Sequence, residues 1–110
     1  MKVYFLAEAE QDLKELRRYI LRTFGETAWA DSYQKIKASV DLLQTAPDSG
    51  SIPDELADLQ PGRYRQVISG MNRILYEIRE DALYIHIVCD SRRDMRTLLS
   101  RRLVRTTGLR

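Results

Sequence analysis

A chain of 110 residues, 44% apolar and 31% charged, fits one compact soluble domain with a modest core and little stability to spare. No apolar run approaches the length of a membrane span or a signal-peptide core, and the single cysteine, Cys89, rules out an internal disulfide and any cysteine-based zinc site. The net charge of +2 hides an asymmetry: residues 1–62 carry seven Lys/Arg against eleven Asp/Glu, whereas residues 63–110 carry eleven Arg, no Lys and five Asp/Glu.

In chain order, Lys2 to Leu6 reads as a short first strand. Ala7 to Phe24 follows as an amphipathic helix with Ala9, Leu13, Leu16, Ile20 and Phe24 on one stripe. Acids crowd its start and arginines its end, as the helix dipole favours. Gly25 closes it. Glu26 to Ala46 is a second helix with Trp29, Tyr33, Ile36, Val40 and Leu43 on its core face, stopped by Pro47. The two form an antiparallel hairpin. A loop covers 47–62, in which Pro53-Asp54-Glu55-Leu56 can make one helical turn.

The period then falls to two. Arg63 to Ser69, Asn72 to Arg79 and Ala82 to Cys89 are strands, joined by turns at Gly70-Met71 and Glu80-Asp81. On the middle strand Ile74, Tyr76 and Ile78 share one face, and Arg73, Leu75, Glu77 and Arg79 the other. Asp90 to Asp94 connects to a helix from Met95 to about Leu103, and a frayed tail ends the chain. The order β-α-α-β-β-β-α gives an α+β domain spanning 1–110, a helical hairpin on a mainly antiparallel four-stranded sheet.

Few groups suggest chemistry. No phosphate-binding glycine loop is present, and no serine sits in a nucleophile turn. His86, the only histidine, lies mid-strand between isoleucines and reads as structural. Cys89 reads as buried filler. No metal or cofactor is expected, and no catalytic residue is assigned. The remaining feature is arginine: Arg92, Arg93, Asp94 and Arg96 just past the last strand, within reach of Arg63, Arg65 or Arg73 across the sheet face. Guanidiniums held together repel one another and favour an anionic ligand or partner. Alternatively, Asp90 and Asp94 neutralise them locally and Asp94 caps the last helix.

Several segments resemble the ParE/RelE toxin superfamily of type II toxin–antitoxin systems. They are Ala7-Glu8-Ala9-Glu10-Gln11-Asp12-Leu13 opening the first helix, Arg63-Tyr64-Arg65, Asn72-Arg73-Ile74-Leu75-Tyr76, and Val88-Cys89-Asp90-Ser91-Arg92-Arg93-Asp94. The resemblance runs from about residue 2 to residue 103. It implies a bacterial cytosolic toxin in a hetero-oligomer with a cognate ParD-like antitoxin, and one of two activities. ParE-like members poison DNA gyrase without chemistry of their own; RelE-like members cut ribosome-bound messenger RNA. Beyond Val88 there is no Tyr, His or Lys to move a proton, and arginine does so poorly. The ParE-like reading is therefore expected, with Tyr76 or His86 as the possible proton shuttle of the alternative. A non-toxic binding module of the same fold is the third possibility. Arg63, Arg65, Arg73, Arg92, Arg93, Asp94 and Arg96 are the expected target- or antitoxin-binding residues. Direct nucleic-acid binding is not expected of a domain of charge +2 without a reading helix.

Overall fold

The computed structural model describes residues 1–56 and 63–107, with the side chains of 103–107 excepted. β1 (Lys2–Phe5) leads into α1 (Ala7–Phe24) and α2 (Glu26–Thr45). Two single 3-10 turns, Pro47–Ser49 and Asp54–Leu56, precede β2 (Tyr64–Ser69), β3 (Asn72–Arg79), β4 (Ala82–Asp90) and α3 (Met95–Thr107). The expected order and fold class hold, and α3 runs four residues beyond its expected end. None of the helices is long and apolar enough to cross a membrane, among the described residues.

The sheet order is β1-β4-β3-β2, with β1 parallel to β4 and the other pairs antiparallel. Gly25, at φ 97°, takes a backbone conformation that side chains disfavour, and its N–H closes α1 on Ile20 and Leu21. The hairpin buries Ala9, Leu16, Ile20, Ile36, Val40 and Leu43 against Ile74, Tyr76, Leu83, Ile85 and Val88. Two residues of the expected stripes stay outside this core. Phe24 is 64% exposed and Tyr33 44%. Phe24 occupies the last turn of α1 and meets Tyr19 edge-on, while Tyr33 leans on Trp29. Ring pairing on the helix surface takes the place of burial for both.

A bulge changes which side chains of β4 face the hairpin. Leu75 pairs with Ile87 but Tyr76 with Ile85, so His86 is the extra residue. Leu83 and Ile85 face the hairpin before the bulge, and Val88 does so after it. Ile87 and Cys89 turn to the opposite face, where they meet Leu56, Tyr64, Leu75, Met95 and Leu99. A second small core, under α3 and the 54–56 turn, therefore covers part of the face that the hairpin leaves open.

β1 is shorter than β4. Its continuation ends where the Leu6 N–H donates to the Ile85 carbonyl, 3.0 Å away. Beyond that point side chains satisfy the outer edge of β4. The Val88 N–H donates to Asp12 Oδ2 at 3.0 Å, and Arg102 Nη1 donates to the His86 carbonyl at 3.0 Å and to Asp12 Oδ2 at 3.1 Å. Arg102 Nη2 also donates to Asp12 Oδ1. One ion pair stands in for the missing strand, and it ties α3 to α1 and the sheet together.

The loop before β2 is strapped to the sheet by Tyr76, whose buried hydroxyl donates to the Pro47 carbonyl at 2.6 Å and accepts the Gly50 N–H at 3.1 Å. A Cβ on Gly50 would lie 2.6 Å from both the Gln66 carbonyl oxygen and the Tyr76 hydroxyl. Gly50→Ala is therefore expected to destabilise the domain by about 1–3 kcal/mol, since backbone must shift to admit the methyl group. Urea denaturation of the variant checks this.

Candidate partner-binding site

The end of β4 and the turn that follows it carry the most exposed of the expected site residues. Arg92 grips Asp90 in a two-pronged pair, with Nε and Nη2 each 2.9 Å from a carboxylate oxygen, and the Arg92 N–H donates to the same group at 2.8 Å. This pairing holds Asp90 below the usual carboxylate range and Arg92 above the ordinary guanidinium value. Asp94 accepts the Thr97 N–H and hydroxyl, so it caps α3 and is held low by those bonds. Arg93 and Arg96 are exposed and make no ion pair among the described residues.

Beside this turn, α1 and β4 diverge to leave a cleft of about 450 Å³. Leu16 and Tyr19 line the helix side. Val88, Cys89 and Asp90 line the strand side, and Asp12, Glu15, Arg92 and Arg93 complete the lining. Burial pushes the Cys89 thiol up to about 11, so it offers the cleft a weakly polar surface and no nucleophile. The cleft combines apolar walls, a half-exposed tyrosine and charges of both signs, a composition suited to a protein segment.

Of the other expected residues, Arg73 lies across the sheet from Cys89, while Arg63 and Arg65 lie farther from this turn. Arg73 is largely buried and bonded to the Gln66 side chain and to Glu55 at 3.2 and 3.4 Å, which lowers the Glu55 carboxyl. Arg65 donates to the Gly50 carbonyl at 2.9 Å and to that of Asp48 at 3.4 Å. Both staple the 47–56 loop to the sheet. Arg63 pairs with Glu77 at 2.6 Å, four residues along β3 from Arg73, about 13 Å at strand rise. Each of these three arginines has an acceptor of its own, and Arg73 lies close enough to the end of β4 that its partner Glu55 is lowered by Arg96 as well.

Glu77 is fully buried, and it anchors a network that the sequence reading missed. It accepts from Arg63, from Arg79 at 2.9 Å and from His86 Nε2 at 2.7 Å. A carboxylate can only accept, so Nε2 carries the proton and Nδ1 is bare; Nδ1 is buried without a partner among the described residues. Burial outweighs the pull of Glu77 and lowers the His86 pKa, while its three partners hold Glu77 below the usual carboxylate range despite burial. His86 is structural, as expected.

Asp12, Tyr19 and Arg102 were also missed, although the sequence carries signals for two of them. Met95, Leu99 and Arg102 share one helical stripe, and Asp12 sits between Ala9 and Leu16 on another. A charge on each buried stripe calls for an opposite charge nearby.

The comparisons agree with this fold. The family model described as ParE toxin of type II toxin-antitoxin system, parDE, matches residues 3–95. A solved structure described as the chromosomal ParDE TA system from P. aeruginosa is similar with a TM-score of 0.65 at 15% identity, over 82% of this chain and 95% of that one. No curated protein matches. With the family model covering most of its length, the chain belongs to the ParE toxin family of type II toxin–antitoxin systems.

Proposed function

We propose that this protein is a toxin that inhibits DNA gyrase by binding it, without chemistry of its own, and that a cognate antitoxin neutralises it. The observation that carries this reading is the state of the groups that an RNA-cutting relative would need. His86 is 2% exposed and lodged on Glu77, and Tyr76 is fully buried with its hydroxyl engaged at Pro47 and Gly50. Neither can reach a substrate. The arginines at the surface stabilise negative charge but shuttle no protons. Family membership and likeness to a ParDE system support an antitoxin partner, and the α1/β4 cleft beside Arg92 and Arg93 is where we place its segment.

A supercoiling assay with purified gyrase tests the reading. Toxin is expected to block supercoiling and to accumulate cleaved DNA. The variant Arg92→Ala/Arg93→Ala/Arg96→Ala is expected to lose at least about tenfold in potency, equal to 1.4 kcal/mol, while keeping its melting temperature. Arg65 is left out because it holds a loop. Undisturbed supercoiling at saturating toxin, together with cutting of ribosome-bound messenger, would move the protein to the RNA-cleaving class. Tyr19, which lines the cleft with Arg92, is the residue to test in that event: Tyr19→Phe would then abolish cutting.

A further inference from the structure

On the outer edge of β4, side chains stand in for a strand only as far as the Val88 N–H, and two backbone groups beyond it are left over. The Val88 N–H points outward to Asp12, and the Ser91 N–H points inward to the Met71 carbonyl at 2.7 Å. Strand alternation between these fixed points turns the Val88 carbonyl and the Asp90 N–H outward as well. Neither has a hydrogen-bond partner among the described residues. Both residues line the cleft together with Leu16 and Tyr19. β1 does not extend to them, because the Leu6 carbonyl accepts the Glu10 N–H and the chain has already turned into α1.

The free pair selects one direction of chain. An antiparallel neighbour exchanges two bonds with a single residue. It would need the Val88 N–H, held by Asp12, or the Asp90 carbonyl, which accepts the Arg93 N–H at 3.0 Å. A parallel neighbour instead bonds to the residues on either side of its own position, here the acceptor at Val88 and the donor at Asp90. β1 uses this same edge of β4 in the parallel sense. A docked helix would leave both groups unpaired, since its own backbone bonds are internal.

The residue that bridges the pair stands opposite Cys89 and shares its face, while its two neighbours turn to the face of Val88 and Leu16. Arg93 makes no ion pair among the described residues, and its charge acts on both Cys89 and Asp90. We propose that the antitoxin enters the cleft as extended chain parallel to β4, with one acidic residue, flanked by apolar ones, bonded through its backbone to Val88 and Asp90 and through its carboxylate to Arg93. This mode of entry presupposes the antitoxin partner proposed above. Charge complementarity favours it over a second copy of this chain, whose edge strands β1 and β2 carry Lys2 and Arg65 but no acid to meet Arg93.

Amide hydrogen exchange read by NMR on labelled toxin tests this, with the purified product of the open reading frame adjoining the toxin gene as the probe. In the free toxin the Asp90 amide is expected to exchange faster than those of Cys89 and Ser91, which are bonded into the sheet. At saturating probe it is expected to slow at least about tenfold. Interchain contacts are expected to run in the order of β4, with the acidic residue beside Cys89 and the residue after it toward Asp90. Arg93→Ala is expected to weaken binding at least about tenfold. The position is exposed, so the melting temperature should be unchanged. Binding that leaves the Asp90 amide fast, contacts in the reverse order, or an affinity indifferent to Arg93→Ala would overturn the inference and leave the antitoxin reading standing. A product that does not bind at all would overturn both. Protection of Asp90 by gyrase and not by that product would overturn the inference too, and would give the cleft to the target.

Discussion

Arg102→Ala is expected to cost about 3–5 kcal/mol, the range for breaking a buried ion pair by removing one partner. Asp12 and Arg102 are nearly buried, with side chains 9% and 10% exposed. Burial pushes the Asp12 carboxyl up while Arg102 and the Val88 N–H pull it back, and Asp12 in turn raises Arg102. Without the guanidinium, Asp12 is left as an uncompensated carboxylate, and the His86 carbonyl loses its donor on the uncovered stretch of β4. A domain of this size has only about 5–15 kcal/mol in hand, so the variant should sit close to unfolding at ordinary temperature. The effect of removing Asp12 as well should fall well short of the sum, because each partner's loss includes the stranding of the other. Denaturant curves for Asp12→Ala, Arg102→Ala and the double variant measure this. A midpoint for Arg102→Ala equal to that of the parent would show that the pair is not the substitute strand described above. Toxicity should fall with stability, because Arg102 is the tie that holds α3, and with it the turn carrying Arg92 and Arg93, against α1 and β4.

The same pair marks where the sequence stops being legible. Local signals suffice for the framework. Apolar spacing defines α1 and α2, Gly25 separates them, and period-two runs with turns at Gly70 and Glu80 define three strands, all within a residue or so of their observed ends. The bulge at His86 leaves no trace in composition, yet it decides that Val88 faces the hairpin while Ile87 and Cys89 face α3. The arginines show the same limit. Their number is plain in the sequence, but an arginine's role depends on the nearest acceptor, which the fold supplies from far along the chain: Glu55 for Arg73, the Gly50 carbonyl for Arg65, Asp12 for Arg102. Arg92 and Arg79 meet theirs locally, two residues back at Asp90 and Glu77. What looks like one cationic cluster separates into loop staples, a core ion pair and an exposed group at the end of β4. Tyr33 and Phe24 are the converse case. They follow the apolar spacing but sit where a helix face runs past the sheet that it packs against.

Acid should loosen the fold in two stages, and the sign follows from the Glu77 network. His86 is held neutral, with its pKa below 6.5 in the folded chain, so the unfolded chain binds the extra proton first. Stability is therefore full above about pH 6.5 and declines as pH falls toward the lowered value. Protonation would place a second N–H at Nδ1, which has no acceptor among the described residues. Glu77 is held below 4.5, so its contribution is present above that pH and is lost as pH falls through its folded value. Asp12 works against the second stage: burial raises it above 3.8, so the folded chain gains a proton before the unfolded one does. Urea midpoints between pH 8 and pH 3 should trace both declines. Glu77→Gln keeps the shape but replaces one accepting oxygen with an NH2 that cannot accept and removes the charge from the bonds left, at about 1–3 kcal/mol near pH 7, and should flatten the decline below pH 4.5. His86→Phe removes the titrating ring and should flatten the decline between pH 6.5 and the lowered histidine value. A parent protein with level stability from pH 7 to pH 5 would mean that His86 does not hold a neutral ring against a buried carboxylate. The bulge that directs Val88 and Ile87 to opposite faces would then need another anchor.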